Sequence, residues 1–158
     1  MKPKTKLFVR VAAIIVRNGQ VFTHEADDDD GATYQALPGG HLEPDETASE
    51  CVVREMQEEF DVAIVVDHLA YVAEGFFVHR DRRLHEVVFY FVAHLAEPDV
   101  VVRSREQHIR ARWLALDGGL AALRPSWLRD ALPKLGARAW NAPIEHVVSR
   151  EPTPTGMS

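Results

Sequence analysis

The sequence predicts a single mixed α/β (α+β) domain on three observations. Runs rich in β-branched residues are separated by turn residues, one amphipathic helix sits mid-chain, and 158 residues with 46% apolar content suit one hydrophobic core rather than two. Residues 1–140 are assigned to that domain, and residues 141–158 to a loose tail.

The elements follow in chain order. Residues 9–16 are rich in Val, Ile and Ala, and Asn18-Gly19 then precedes Gln20-Val21-Phe22, the pattern of a strand, a two-residue turn and a second strand. Residues 27–31 are polar and read as a loop. Pro38-Gly39-Gly40 closes a short apolar piece. A helix is expected over residues 46–60, opened by Pro44-Asp45 as turn and cap, because Ala48, Val52, Met56 and Phe60 recur every four positions and make one buried stripe. Strand-like runs follow at 62–66, 69–72, 76–78 and 87–95, the last two joined by the charged segment 79–83. A further strand is expected at 109–114, then helical pieces at 118–123 and 127–135. The tail from Asn141 shows no apolar periodicity.

Charge narrows the function. The formal net charge is −6, yet residues 25–61 carry thirteen acids against the single base Arg54, a local balance of −12, so the rest of the chain sums to +6. Nucleic-acid polymers are bound through Lys and Arg that displace counterions, so no polymer partner is expected. The one cysteine, Cys51, forms no internal disulfide and reads as packing. The basic start (Lys2, Lys4, Lys6) precedes an apolar run that Arg10 and Arg17 interrupt, which suits neither a secretory signal nor a membrane span, so a cytoplasmic protein without membrane contact is expected.

On the helix, Glu55, Glu58 and Glu59 fall within an arc of roughly 100°, and like charges three and four apart cost a few tenths of a kcal/mol per pair. One reading is a solvated acidic face relieved by Arg54, which can reach Glu50 and Glu58. The other is a site for a hard divalent cation, whose preferred ligands are carboxylates, carbonyls and water, with Gly39-Gly40 just upstream giving the backbone room to approach an ion. The run Asp27, Asp28, Asp29 and Asp30 lacks the spaced ligands of a calcium loop and reads as solvated surface. The eight histidines form no metal-binding spacing.

Gly40, Glu46, and Arg54-Glu55-Met56-Gln57-Glu58-Glu59-Phe60-Asp61-Val62 together resemble the signature box of the Nudix hydrolases, MutT-like enzymes that cleave nucleoside diphosphates linked to another moiety. The strand at 9–16, the Leu37-Pro38-Gly39-Gly40 lead-in and Trp113 resemble the family's flanks, so the likeness covers roughly residues 7–135. It implies an α/β/α sandwich with a mixed sheet between helices. It also implies magnesium, or manganese in its place, held by Glu55, Glu58, Glu59 and the Gly40 carbonyl, with Arg54 orienting the glutamates and Glu46 structural. The general base in similar enzymes is a glutamate of the box or of a later loop, and Glu106 stands about where the latter is expected; Glu86 is a weaker candidate. Asp61 departs from the family's glycine, at a cost on the order of 1 kcal/mol.

Arg80, Arg82 and Arg83 at a hairpin tip are candidates for substrate phosphate, and Tyr34, Phe77 and Trp113 for stacking on a base. The resemblance implies a tyrosine beyond the box in relatives selective for dinucleoside polyphosphates and a proline in those selective for ADP-ribose; residues 75–83 have neither. A nucleoside triphosphate or nucleotide sugar is therefore the expected substrate class, cleaved by metal-activated water. The competing reading is a non-catalytic nucleotide-sensing module on the same fold, and a homodimer is left open.

Overall fold

A computed structural model describes residues 4–28, 30–79 and 81–151. Asp29, Arg80 and residues 152–158 of the expected tail lie outside the described residues. Strands β1 (Lys6–Arg17) and β2 (Gln20–Asp27) form the expected hairpin. Asn18 and Gly19 both hold positive φ, 52° and 73°, as a turn matching the strand twist requires. Strands β3 (Thr33–Ala36) and β4 (Gly39–His41), helix α1 (Ala48–Phe60), and strands β5 (Ile64–His79) and β6 (Arg82–Leu95) follow. The described chain closes with β7 (Arg110–Ala115), β8 (Leu123–Arg124), helix α2 (Leu128–Ala137) and β9 (Glu145–Arg150).

The strands run β8-β3-β2-β1-β6-β5-β9, with β4 also on β1 and β7 also on β2. The β1–β6, β3–β8 and β5–β9 pairs are parallel and the rest antiparallel, so the sheet is mixed. Alternation along β1 divides the core. Ala12 and Ile14 face a cluster with Leu128, Leu132 and Leu135 of α2, while Val11, Ala13 and Ile15 face Cys51, Val52, Met56 and Phe60 of α1. The helices therefore cover opposite faces of one sheet, as the sandwich expectation requires.

The sheet splays between β1 and β2. These strands pair only beside their turn, at Val16↔Val21 and Arg17↔Gln20, whereas the earlier part of β1 pairs with β4, Arg10 facing His41 and Val11 facing Gly40. A cleft opens where β2 and β3 leave β1, and it positions the site.

Several elements differ from the sequence expectation. The runs at 62–66, 69–72 and 76–78 belong largely to one strand, β5, whose polar interruptions at Asp67 and His68 are absorbed by irregularities between Val66 and His68 and between Leu69 and Tyr71. The helix is capped by Thr47 rather than by Pro44-Asp45: Thr47 Oγ1 accepts from the Glu50 amide at 3.2 Å while Glu50 Oε2 accepts from the Thr47 amide at 2.8 Å, a reciprocal capping box. Residues 118–122 form turns around Gly118 and Gly119 instead of a helix, although Leu120 and Leu123 are buried. The tail expected to be loose contains β9, which adds to the edge of β5 in register from Tyr71↔Glu145 to Phe76↔Arg150. An edge strand with one half-covered face carries little periodicity, Val147 packing on the core while Val148 is exposed.

Candidate active site

Helix α1 lays its apolar stripe on the sheet and so turns its carboxylates toward β4 and the loop before β7. Arg54 is the hub. Its Nε and Nη2 donate to Glu46 at 2.9 and 2.7 Å, and its Nη1 to Glu55 at 3.0 Å and Glu58 at 3.1 Å. Nη2 also donates to the His41 carbonyl at 3.3 Å, tying the helix to β4. These bonds hold the Glu46 carboxyl down to about 2, since a charge-assisted bond favours the ionised form. Glu50 is spent on the helix cap, so the expected Arg54–Glu50 pairing gives way to Arg54–Glu46.

The three helix glutamates differ in surroundings. Glu58 is exposed and rests on Arg54. The Glu55 side chain is 13% exposed and packs against Gly40, where a Cβ would overlap its carboxyl; burial pushes its pKa up against the pull of Arg54. Glu59 is pushed up to about 7, first by burial and then by the charges of Glu55 and Glu106. Glu106 comes from the loop before β7, held by reciprocal bonds with Ser104 at 3.1 and 3.2 Å. The Arg105 amide donates to the Glu59 carbonyl at 2.8 Å. A helix and a remote loop thus bring Glu55, Glu59 and Glu106 to one place.

This oxygen-only, mutually repelling set fits a hard divalent cation. Among the described residues no group of three or more His, Cys, Asp and Glu side chains is arranged to hold a metal ion as it stands; the Arg54 guanidinium supplies the positive charge between Glu55 and Glu58. Cys51 is fully buried, its Sγ 3.4 Å from the His41 carbonyl, and burial pushes the thiol up to about 12, so it packs rather than reacts.

A cavity of about 420 Å³ lies in the cleft between the splayed strands, its wall including Arg10 but none of Glu55, Glu58, Glu59 and Glu106. Tyr34 and Phe77 line it, the Arg124 guanidinium sitting 4.9 Å from the Tyr34 ring. Trp113 does not; it packs on Phe22 with ring centres 5.2 Å apart under Arg17. Arg82 and Arg83 are exposed on the hairpin and are absent from the cavity wall. Glu86 lines the cavity, where burial raises its pKa against the pull of Arg10. Sequence reasoning missed Arg10, Tyr90 and Trp127, which also line it. The signal for Tyr90 was alternation, since Glu86, Val88 and Tyr90 share one face of β6; Arg10 needed the Arg10↔Val88 register between strands far apart in sequence.

Fold and site together define a hydrolase-type α/β/α sandwich with a carboxylate helix. The chain belongs to the Nudix family, whose NUDIX domain matches residues 6–135. Among similar curated proteins are the bis(5'-nucleosyl)-tetraphosphatases [asymmetrical] of Rattus norvegicus, 35% identical over 91 residues (56% of this chain, 60% of that protein), and of Sus scrofa, 34% identical over 90 residues (55% and 59%). The matches span about 60% of the length of these relatives. Among solved structures, a NUDIX hydrolase from Nitrosomonas europaea is similar with TM-score 0.66 and 24% identity, covering 84% of this chain and 90% of that one. The E. coli ORF135 protein gives TM-score 0.63 and 24% identity over 85% and 94%. Among the described residues no helix is long and apolar enough to cross a membrane.

Proposed function

We propose that the chain is a magnesium-dependent pyrophosphohydrolase acting on a nucleoside diphosphate linked to another moiety. The observation that carries this reading is the meeting of Glu55, Glu59 and Glu106, where the burial of Glu59 and then the charges of Glu55 and Glu106 push Glu59 up to about 7. Glu55, Glu58, Glu59 and the Gly40 carbonyl hold the ion, with manganese able to replace magnesium. When bound, the ion neutralises phosphate charge and lowers the pKa of the attacking water.

The chain's own residues supply the rest. Arg54 fixes the rotamers of Glu55 and Glu58 through Nη1 while Glu46 anchors its other edge, so the helix carboxylates are oriented before substrate arrives. Glu106 accepts the proton of the attacking water, from a loop whose backbone is pinned to Glu59.

A nucleoside triphosphate or nucleotide sugar is the first substrate class. The tetraphosphatase relatives favour a dinucleoside polyphosphate as a second. The test is turnover with magnesium across all three classes, scored by release of nucleotide and phosphate products. Turnover that chelator abolishes and Glu59→Gln lowers at least a hundredfold, with the melting temperature kept, is expected. Turnover unaffected by either change would overturn the reading, and tight nucleotide binding without turnover would favour a sensing module.

A further inference from the structure

Arg10 is half-buried on β1 and lines the cavity, and among the described residues its side chain takes part in no hydrogen bond or ion pair. It pairs on one side with His41 of β4, the neighbour of Gly40, and on the other with Val88 of β6, which lines the cavity. Arg10 therefore stands between the carboxylate cluster and the cavity, and an uncommitted guanidinium offers five donors in a fork that suits phosphate.

Glu86, two positions along β6 from the register partner of Arg10, presents a second uncommitted group. Its side chain has no hydrogen bond among the described residues and sits opposite Gly75, where a Cβ would come within 3.2 Å of Glu86 Cγ. The missing side chain leaves the carboxyl room in the cavity. The wall combines apolar and aromatic residues such as Phe76, Val88, Tyr90 and Trp127 with charged ones such as Asp28, Glu74 and Arg124, and its volume of about 420 Å³ is within the range that holds small ligands.

We propose that Arg10 anchors a substrate phosphate where the cavity meets the carboxylate site, and that Glu86 accepts hydrogen bonds from the attached nucleoside, whose base occupies the aromatic part of the cavity. This rests on the nucleotide-substrate reading above and assigns where the two ends of that substrate lie. An Arg on the metal side alone would serve any polyphosphate; the adjoining acceptor and aromatic wall restrict the occupant to a nucleoside. The donors facing Glu86 come from sugar hydroxyls or a base amino group.

The experiment is equilibrium binding by calorimetry with magnesium, in a Glu59→Gln background that suppresses turnover. ADP, GDP, CDP and UDP are titrated first, then adenosine, 2′-deoxy-ADP and IDP, which lacks the amino group of ADP. Arg10→Met is expected to weaken the best-bound diphosphate at least tenfold while adenosine changes less than twofold, and Arg10→Lys to recover part of the loss. Glu86→Gln is expected to shrink the preference for ADP over either the deoxy analogue or IDP, whichever names the donor. Binding of every diphosphate within twofold after Arg10→Met, or equal loss for adenosine, would overturn the phosphate assignment; unchanged preferences in Glu86→Gln would overturn the second. Should Arg10→Met fail to fold, Arg10→Gln carries the same comparison. Arg10-dependent binding in a protein that hydrolyses nothing would sink the proposed reaction and leave this assignment standing, whereas hydrolysis with no Arg10 dependence of binding would do the reverse.

Discussion

Asp61 Oδ1 lies 3.0 Å from Arg105 Nη2, so the residue that replaces the family's glycine at the end of α1 is tied to the residue preceding Glu106. Asp61 holds φ 53° and ψ 40°, the left-handed conformation, and also accepts from Gln57 Nε2 at 2.8 Å. The helix-end penalty expected from the sequence is thus offset by two donors, and the substitution gains a connection to the loop that carries Glu106.

Removing that connection separates stability from activity. Asp61→Gly relieves a left-handed strain of about 1 kcal/mol and loses a surface ion pair of about 0 to 1 kcal/mol. Its unfolding free energy is expected to stay within about 0.5 kcal/mol of the native value. Asp61→Ala loses the partners without gaining the backbone freedom and is expected to be less stable by about 1 to 2 kcal/mol. In both, kcat falls several-fold because the Glu106 loop loses a pin. Urea denaturation and steady-state kinetics on the same preparations measure the two effects.

Gly40→Ala is expected to abolish metal binding with the fold retained. The added methyl would occupy the space of the Glu55 carboxyl, so the side chain must swing away from β4. A native protein whose melting temperature rises with magnesium, beside a variant whose melting temperature does not, is the expected pair of results; an equal rise in both would contradict the role of this contact.

His24 makes stability depend on pH. Its Nδ1 is buried without a hydrogen-bond partner, and burial, reinforced by the charge of Arg10, lowers its pKa from 6.5 to about 4. Below pH about 6.5 the unfolded chain takes up a proton that the folded chain refuses until about pH 4. This contribution to stability therefore declines as pH falls through that window, by at most about 1.4 kcal/mol per pH unit, and is constant above it. His24→Leu is expected to flatten the slope in denaturant titrations between pH 6.5 and 4.5.

Thr47→Ala is expected to cost about 1 kcal/mol, since it removes the Oγ1 acceptor of the capping box and leaves the Glu50 amide without its partner. Urea denaturation reads the loss directly.

The helix, its buried stripe and the first hairpin were legible in the sequence because each rests on short-range patterns. The same holds for the identity of the box glutamates, since Glu55, Glu58 and Glu59 share one helix and their angular positions follow from 3.6 residues per turn. Strand β9 was not legible: its pairing partner lies 74 positions away at Tyr71↔Glu145, and its own alternation is weak.

By itself, then, the sequence determined the family, the acidic helix and the donor chemistry that suits a divalent cation. Only the tertiary structure decided which acids lie together and what faces them. Glu55 is buried against Gly40, Glu58 is left on the surface, and Glu106 arrives beside Glu59 from a loop some 47 residues later in the numbering of the chain. Arg10 changes most in meaning, from an interruption in an apolar run to the cation between cavity and carboxylates. The physical reason is common to these cases: burial and Coulomb interaction depend on distance in space, and strand register across the splayed sheet brings together groups that no local pattern connects.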